Sequence, residues 1–211
     1  PLQATLNSFR VAIVTTIIAT TFGLITAYLI GGRNRPAWAS KIMDPIFMLP
    51  LATSAVTLGF GFTIALDEPP LDLRSSWWII PIAHTLVAIP FVVRSVLPAI
   101  RAIPSNLTEA SGILGASPLK SWLFIELPLI SRGLIVGATF AFTVSMGEFG
   151  ASLFVVRSNS ATMPVIIYRL LGQPGLNNYG QAVAMSSLLM LVCAVSFIAI
   201  ERIRTAGIGE F

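Results

Sequence analysis

Long apolar runs dominate the chain, separated by short connections that carry most of its Gly, Pro and charge. Five of the runs, near 9–31, 43–66, 77–98, 130–154 and 181–201, are each long enough to cross a bilayer. A hydrocarbon core about 30 Å thick takes roughly 20 helical residues. The dyad alternation of a membrane barrel strand is absent, so the pattern predicts helices, because lipid cannot satisfy an open backbone. The expected fold class is all-α integral membrane, a single domain over 1–211 with five transmembrane helices and a loop of about 102–129 between the third and fourth. Pro50, Pro81 and Pro90 and several Gly (Gly59, Gly61, Gly133, Gly137, Gly147, Gly150) interrupt the spans. The prolines predict kinks and the glycines close helix approaches. No internal repeat is visible.

The loop contains EASGILGASPLKSWLFIELP, residues 109–128, too polar to be a span. Asn106 with Glu109 has the spacing of a helix cap, and Leu107, Ala110, Ser111 and Leu114 then share one helical face. Gly115 is placed to end that helix. Ser117 followed by Pro118 starts a second, with Trp122, Phe124 and Ile125 as its apolar contacts, stopping before Pro128. Two readings stand: a knob that docks another protein, or a pair of helices lying among lipid headgroups. Glu126 reads as a surface residue.

Composition narrows the class. The chain is 55% hydrophobic and 10% charged over 211 residues, against about 25% charged for a soluble domain. That is too few charges to cover a water-facing surface. The single Cys193 allows no internal disulfide and reads as a small packing residue. The net charge of +4 fits basic residues gathered on the cytoplasmic side rather than a nucleic-acid partner. Nine of them (Arg33, Arg35, Lys41, Arg94, Arg101, Lys120, Arg132, Arg202 and Arg204) fall on one side of the five spans. Four (Arg10, Arg74, Arg157 and Arg169) fall on the other. This bias predicts loops 32–42 and 99–129 and the C-terminus in the cytoplasm, with the N-terminus outside. The outer connections are a Pro-rich turn, DEPPLDLRSS (67–76), and a longer loop, 155–180. The longer one holds an amphipathic or re-entrant helix, TMPVIIYRLL, ended by Gly172. That loop reads equally as a contact for an external partner or as a lid on its own helices.

Few residues suggest chemistry. Glu148, in MGEFGAS, lies well inside the fourth span, where an acid marks a pathway or gate, or else bonds a neighbouring helix. On the pathway reading Ser145, Phe149 and Ser152 are its neighbours. His84, mid-way along the third span, fits an interhelical hydrogen bond better than a substrate or proton role. Arg94 is placed to snorkel. No nucleophile–base pair or metal-ligand cluster emerges, and an enzyme is not expected. GASPLKS lacks the second glycine of a phosphate-binding loop, so ATP is not bound by this chain.

Glu109-Ala110-Ser111, three residues, Gly115, nine residues, then Ile125-x-Leu127-Pro128 resembles the EAA motif of permease subunits of bacterial binding-protein-dependent ABC importers. Ser111 for the second Ala is the one departure. The resemblance extends over essentially the whole chain. It implies the type I importer permease fold, in a bacterial or archaeal inner membrane, with the loop forming coupling helices on a cytoplasmic dimer of ATP-binding subunits. Glu109, Ala110, Ser111, Leu114, Gly115, Ile125, Leu127 and Pro128 would be the coupling residues, with Glu109, Ala110 and Ser111 as the docking face. ATP and magnesium would sit on the partner ATPase and no cofactor on this chain. A second permease domain, an extracytoplasmic substrate-binding protein and membrane lipid complete the expected partners. GEFGAS, TMPVIIYRLL and AIERIR are similar to the iron(III) and thiamine branch, and sulfate and molybdate permeases share a related pattern. Beginning at Pro1, the chain is expected to be a trimmed subunit or half of a fused permease. A secondary transporter is the alternative, less well matched because repeated halves are missing.

Overall fold

The computed structural model describes residues 1–32, 37–68, 73–74, 76–157 and 160–205. Arg33 and Arg35, Asp72 and the side chains of Lys41 and Arg204, all used in the sequence reading, lie outside the described residues. Among these residues the chain is helical, without strands. The elements are α1 (Leu2–Gly31), α2 (Ala37–Ala52), α3 (Ala55–Ala65), α4 (Ile79–Ala102), α5 (Ser105–Ile113) and α6 (Pro118–Ser121). A π-helical turn (Trp122–Glu126) leads into α7 (Leu127–Gly147), followed by α8 (Gly150–Val155), α9 (Met163–Leu171) and α10 (Leu176–Thr205). Four of the described helices are long and apolar enough to cross a membrane, and the bent pair α2–α3, a broken span or a re-entrant loop, brings the number to five if it counts as one span.

Helices α1, α4 and α7 form the centre. Ala19, Ala27 and Ile30 of α1 meet Val92, Val93, Val96 and Leu97 of α4 and Ile130 and Ala141 of α7, all buried. Small residues set the spacing, since lipid provides no hydrophobic drive between helices and close packing must supply the contact. A Cβ on Gly133 would stand 2.8 Å from the Ser95 carbonyl oxygen, and one on Gly23 2.7 Å from Val92. Large apolar side chains such as Leu6, Ile17, Phe22 and Leu191 remain exposed on the outside. In a membrane protein that surface belongs to lipid or to a partner helix.

Two expected spans are discontinuous. The second bends by 96° between α2 and α3. Pro45 and Pro50 lie inside α2 without ending it. The fourth stops at Gly147 and resumes as α8. The two detached halves, α3 and α8, pack directly together. A Cβ on Gly59 would lie 2.6 Å from the Ala151 carbonyl oxygen, one on Gly150 3.0 Å from the Val56 nitrogen, and Phe60 and Phe154 have ring centroids 5.5 Å apart. Gly61 and Gly147, expected at helix contacts, face open space instead. Pro81 interrupts nothing, because it falls in the first turn of α4, where its missing N–H has no helical partner to lose.

The bundle therefore has a knob end, holding α5, α6 and the π turn, and a far end, holding α3, α8 and the start of α9. Arg94 of α4, expected to snorkel, has its guanidinium 3.7 Å from the Asp44 carboxylate of α2. In the far-end turn, Arg74 pairs with Asp67.

Candidate functional site

The knob is built from local rules. Helix α5 is capped by Pro104 rather than Asn106, and no side chain caps its start. The capping box read from Asn106 and Glu109 is thus displaced, because Pro104 sets the boundary and helix begins at Ser105. At its other end Gly115 has φ +80°. The Ala116 N–H donates to the Ser111 carbonyl at 2.9 Å and the Gly115 N–H to the Gly112 carbonyl at 3.0 Å. These two bonds make a Schellman turn, whose left-handed residue favours glycine. Ser117 then caps α6, accepting from the Lys120 N–H at 3.4 Å, with Pro118 at the first helical position.

Beyond α6 the expected break before Pro128 does not occur. Trp122–Glu126 forms the π turn, in which the Leu127 N–H bonds the Trp122 carbonyl, and helix continues straight into α7. The wider turn takes in Pro128 at the start of α7 without unwinding the chain. Leu127 and Ile125 are half-buried at this junction and Pro128 is exposed.

Glu109, Ala110, Ile113, Leu114, Leu119 and Phe124 are exposed on the knob, Ile113 and Leu114 at 88% and 86%. Ser111, expected on the docking face, instead points inward and is buried. Its hydroxyl donates to the Thr108 carbonyl at 2.8 Å and lies 2.8 Å from the Ser121 hydroxyl, which must then be the donor of that pair. The departure from the family's Ala thus ties α5 to α6.

Glu126 is not a free surface acid. Its Oε2 accepts from the Tyr28 hydroxyl of α1 at 2.9 Å, and that hydroxyl accepts from the Trp122 indole N–H at 3.0 Å. Beside this pair a cavity of about 180 Å³ opens between Tyr28, Gly31, Ile100, Ile103 and Glu126. Tyr28 and Ser121 went unnoticed in the sequence. Signals existed: a Tyr near a span end, and a Ser four residues after Ser117. Neither names its partner.

The second set of candidates lies toward the far end. Glu148 is the residue after α7 rather than one inside a span, and its Oε1 accepts the Ala151 N–H at 2.9 Å, capping α8. His84 is buried, with Nδ1 2.8 Å from the Ser145 hydroxyl and Nε2 2.7 Å from the Ser152 hydroxyl. Three of the sequence candidates thus form one cluster joining α4, α7 and α8. Phe149 turns elsewhere, with its ring centroid 5.2 Å from that of Tyr168 on α9. Together they border an open groove of about 450 Å³ that also includes Pro164, Ile167, Leu189 and Met190.

Residues 19–205 match the family described as "Binding-protein-dependent transport system inner membrane component". A Salmonella typhimurium protein described as "Putative 2-aminoethylphosphonate transport system permease protein PhnV" is 25% identical over 201 residues, covering 95% of this chain and 74% of that protein. The sulfate transport system permease protein CysT of the same species is 31% identical over 194 residues, covering 85% and 70%. The molybdenum transport system permease protein ModB of Escherichia coli is 29% identical over 187 residues, covering 82% and 81%. A chain in a solved inward-facing structure of the MetNI methionine ABC transporter superposes with a TM-score of 0.73 at 19% identity, covering 97% of this chain and 94% of that one. Helical architecture, an EAA-like knob between spans three and four and these likenesses converge: the chain belongs to the binding-protein-dependent transport inner membrane components, the multi-pass permeases of ABC importers.

Proposed function

We propose that this permease couples a separate ATPase to solute import through its α5–α6 knob. The observation that carries this reading is the knob itself. It holds the Glu109–Pro128 motif spacing, turns on Gly115 at φ +80°, and presents Ile113, Leu114, Leu119 and Phe124 to its surroundings. Exposed apolar groups flanked by Glu109 and Lys120 suit a protein cleft, where burial of each large side chain contributes about 1.5–3 kcal/mol. In this reading the knob faces the cytoplasm, in keeping with the basic bias of its side of the chain. ATP and magnesium belong to the partner dimer. A second permease domain closes the pathway across the membrane, and a soluble binding protein delivers cargo at the far end.

For the cargo, the relatives named above are phosphonate, sulfate and molybdenum permeases. Their names favour a small oxyanion over the iron(III) or thiamine expected from GEFGAS and TMPVIIYRLL. The test is reconstitution with the cognate ATPase and binding protein in proteoliposomes, with ATP hydrolysis followed on adding sulfate, molybdate, 2-aminoethylphosphonate, iron(III) or thiamine. Stimulation by an oxyanion supports the cargo reading, and stimulation by iron or thiamine alone overturns it. Failure of any ATPase subunit to co-purify with the wild-type chain counts against the coupling function.

A further inference from the structure

Helix α1 touches both ends of the machinery, although the chain connects it directly to neither. At the knob end Tyr28 sits between Trp122 and Glu126 of the π turn, accepting from one and donating to the other. These partners are 94 and 98 residues away in sequence. At the far end, Ser8 Oγ accepts the Met163 N–H at 2.7 Å and Asn7 Nδ2 donates to the Ala161 carbonyl at 3.3 Å. One bond holds the first residue of α9 and the other the residue before its N-cap, and Tyr168 of this helix packs on Phe149. Ser8 and Tyr28 are twenty residues apart on one uninterrupted helix, a rise of about 30 Å, the thickness of a hydrocarbon core.

The two covalent routes out of the knob are both irregular. Towards α7 the chain passes through the π turn, where the regular i→i−4 ladder is shifted. Towards α4 it passes through Ile103 and Pro104, outside either helix. Within the knob, Ser111–Ser121 fastens α5 to α6, and Trp122 follows Ser121 directly. A displacement of the docking helices therefore reaches Tyr28 through two consecutive residues. From there α1 is packed along α4 and α7 as one uninterrupted helix.

We propose that α1 is a transmission element, carrying movement of the knob across the membrane to α9 and the Phe149–Tyr168 contact, with Tyr28 and Ser8 as its positioning residues. This rests on the coupling function above. It adds a route that does not follow the chain.

The test uses the complete importer in proteoliposomes, with the chain, its ATPase and its binding protein. Tyr28→Phe removes the hydroxyl that joins Trp122 to Glu126, and Ser8→Ala removes the acceptor for Met163. Each is expected to lower cargo transported per ATP several-fold, while ATPase co-purification and basal hydrolysis stay at wild-type levels. The double variant is expected to be no worse than the more impaired single one, because both cut one route. Glu126→Gln keeps an acceptor for Tyr28 and should retain coupling, whereas Glu126→Ala should not. That pair decides the matter if Tyr28→Phe assembles poorly. Wild-type coupling in Tyr28→Phe, equal coupling in Glu126→Gln and Glu126→Ala, or losses that multiply in the double variant would each overturn the proposal. Loss of ATPase co-purification in the unaltered chain would instead strike at the coupling function.

Discussion

His84 on α4 and Ser152 on α8 stand 2.7 Å apart in the buried interior, and the other ring nitrogen of His84 is engaged by Ser145 of α7. A neutral imidazole has one donor and one acceptor nitrogen, and a hydroxyl can take either part, so both contacts are met in either tautomer. The ring joins the two pieces of the fourth span across their break. Replacing it with a ring of similar size, His84→Phe, strands both hydroxyls. The expected loss is about 1–2 kcal/mol, in the range of interhelical hydrogen bonds in membranes. Thermal unfolding in detergent measures it, and an unchanged midpoint would mean that the contacts contribute nothing net.

Gly115 is a second point of sensitivity. At φ +80°, a β-branched residue costs about 1–2 kcal/mol in local conformational energy. Gly115→Val should therefore reshape the turn, whereas Gly115→Asn, which tolerates that region, should be mild. ATPase co-purification should fall several-fold in the first and little in the second. Among the described residues, nothing beyond its chain neighbours lies within 4 Å of the added Cβ, so the comparison reads the backbone conformation at this turn.

Glu148 gives a prediction with two arms. Removing its carboxylate in Glu148→Ala takes away the acceptor for the Ala151 N–H, a loss of about 1 kcal/mol for a helix cap. Transport should drop with it. Glu148→Gln keeps an acceptor oxygen and is expected to restore both stability and transport. A Gln variant as impaired in transport as the Ala variant would assign the negative charge itself a role in the pathway.

Overpacking tests the α4–α7 contact. Gly133→Leu forces a side chain against the Ser95 carbonyl, 2.8 Å from the new Cβ, and the obstacle is backbone that cannot rotate away. The expected cost is about 1–3 kcal/mol, seen as a lower melting midpoint and poor yield. Gly61→Ala, which meets nothing within 4 Å, is the matched control and should behave as wild type.

Helix content and span number were legible because lipid leaves the backbone few choices and the apolar runs are long. The turn at Gly115 and the cap at Ser117 were legible too, since each depends on residues a few positions apart. What failed were features fixed by partners distant in sequence. Glu126 looked like a surface acid because Tyr28 is 98 residues away. The resemblance put Ser111 on the docking face, because the motif does not show α6 folding back on α5. The end of α7 at Gly147 was hidden for a related reason. Gly147 and Gly150 read as interruptions of the fourth span, but apolar composition continues through Phe149 and Leu153, so hydropathy does not show that the helix stops between them. The capping box at Asn106 failed locally: Pro104 sets the boundary, and the helix starts one residue before Asn106.

The contact between α3 and α8 sets a limit on how the far end can work. Gly59 and Gly150 bring the two backbones so close that a side chain at either position would collide with the other segment. Their parent spans break independently, at residues 53–54 and 148–149, yet the short pieces beyond pack against each other. Any tilt of one half-span obliges the other to follow. Any opening at the far end is therefore expected to move the two broken spans together, so restraining one of them, for example by crosslinking α3, should immobilise both.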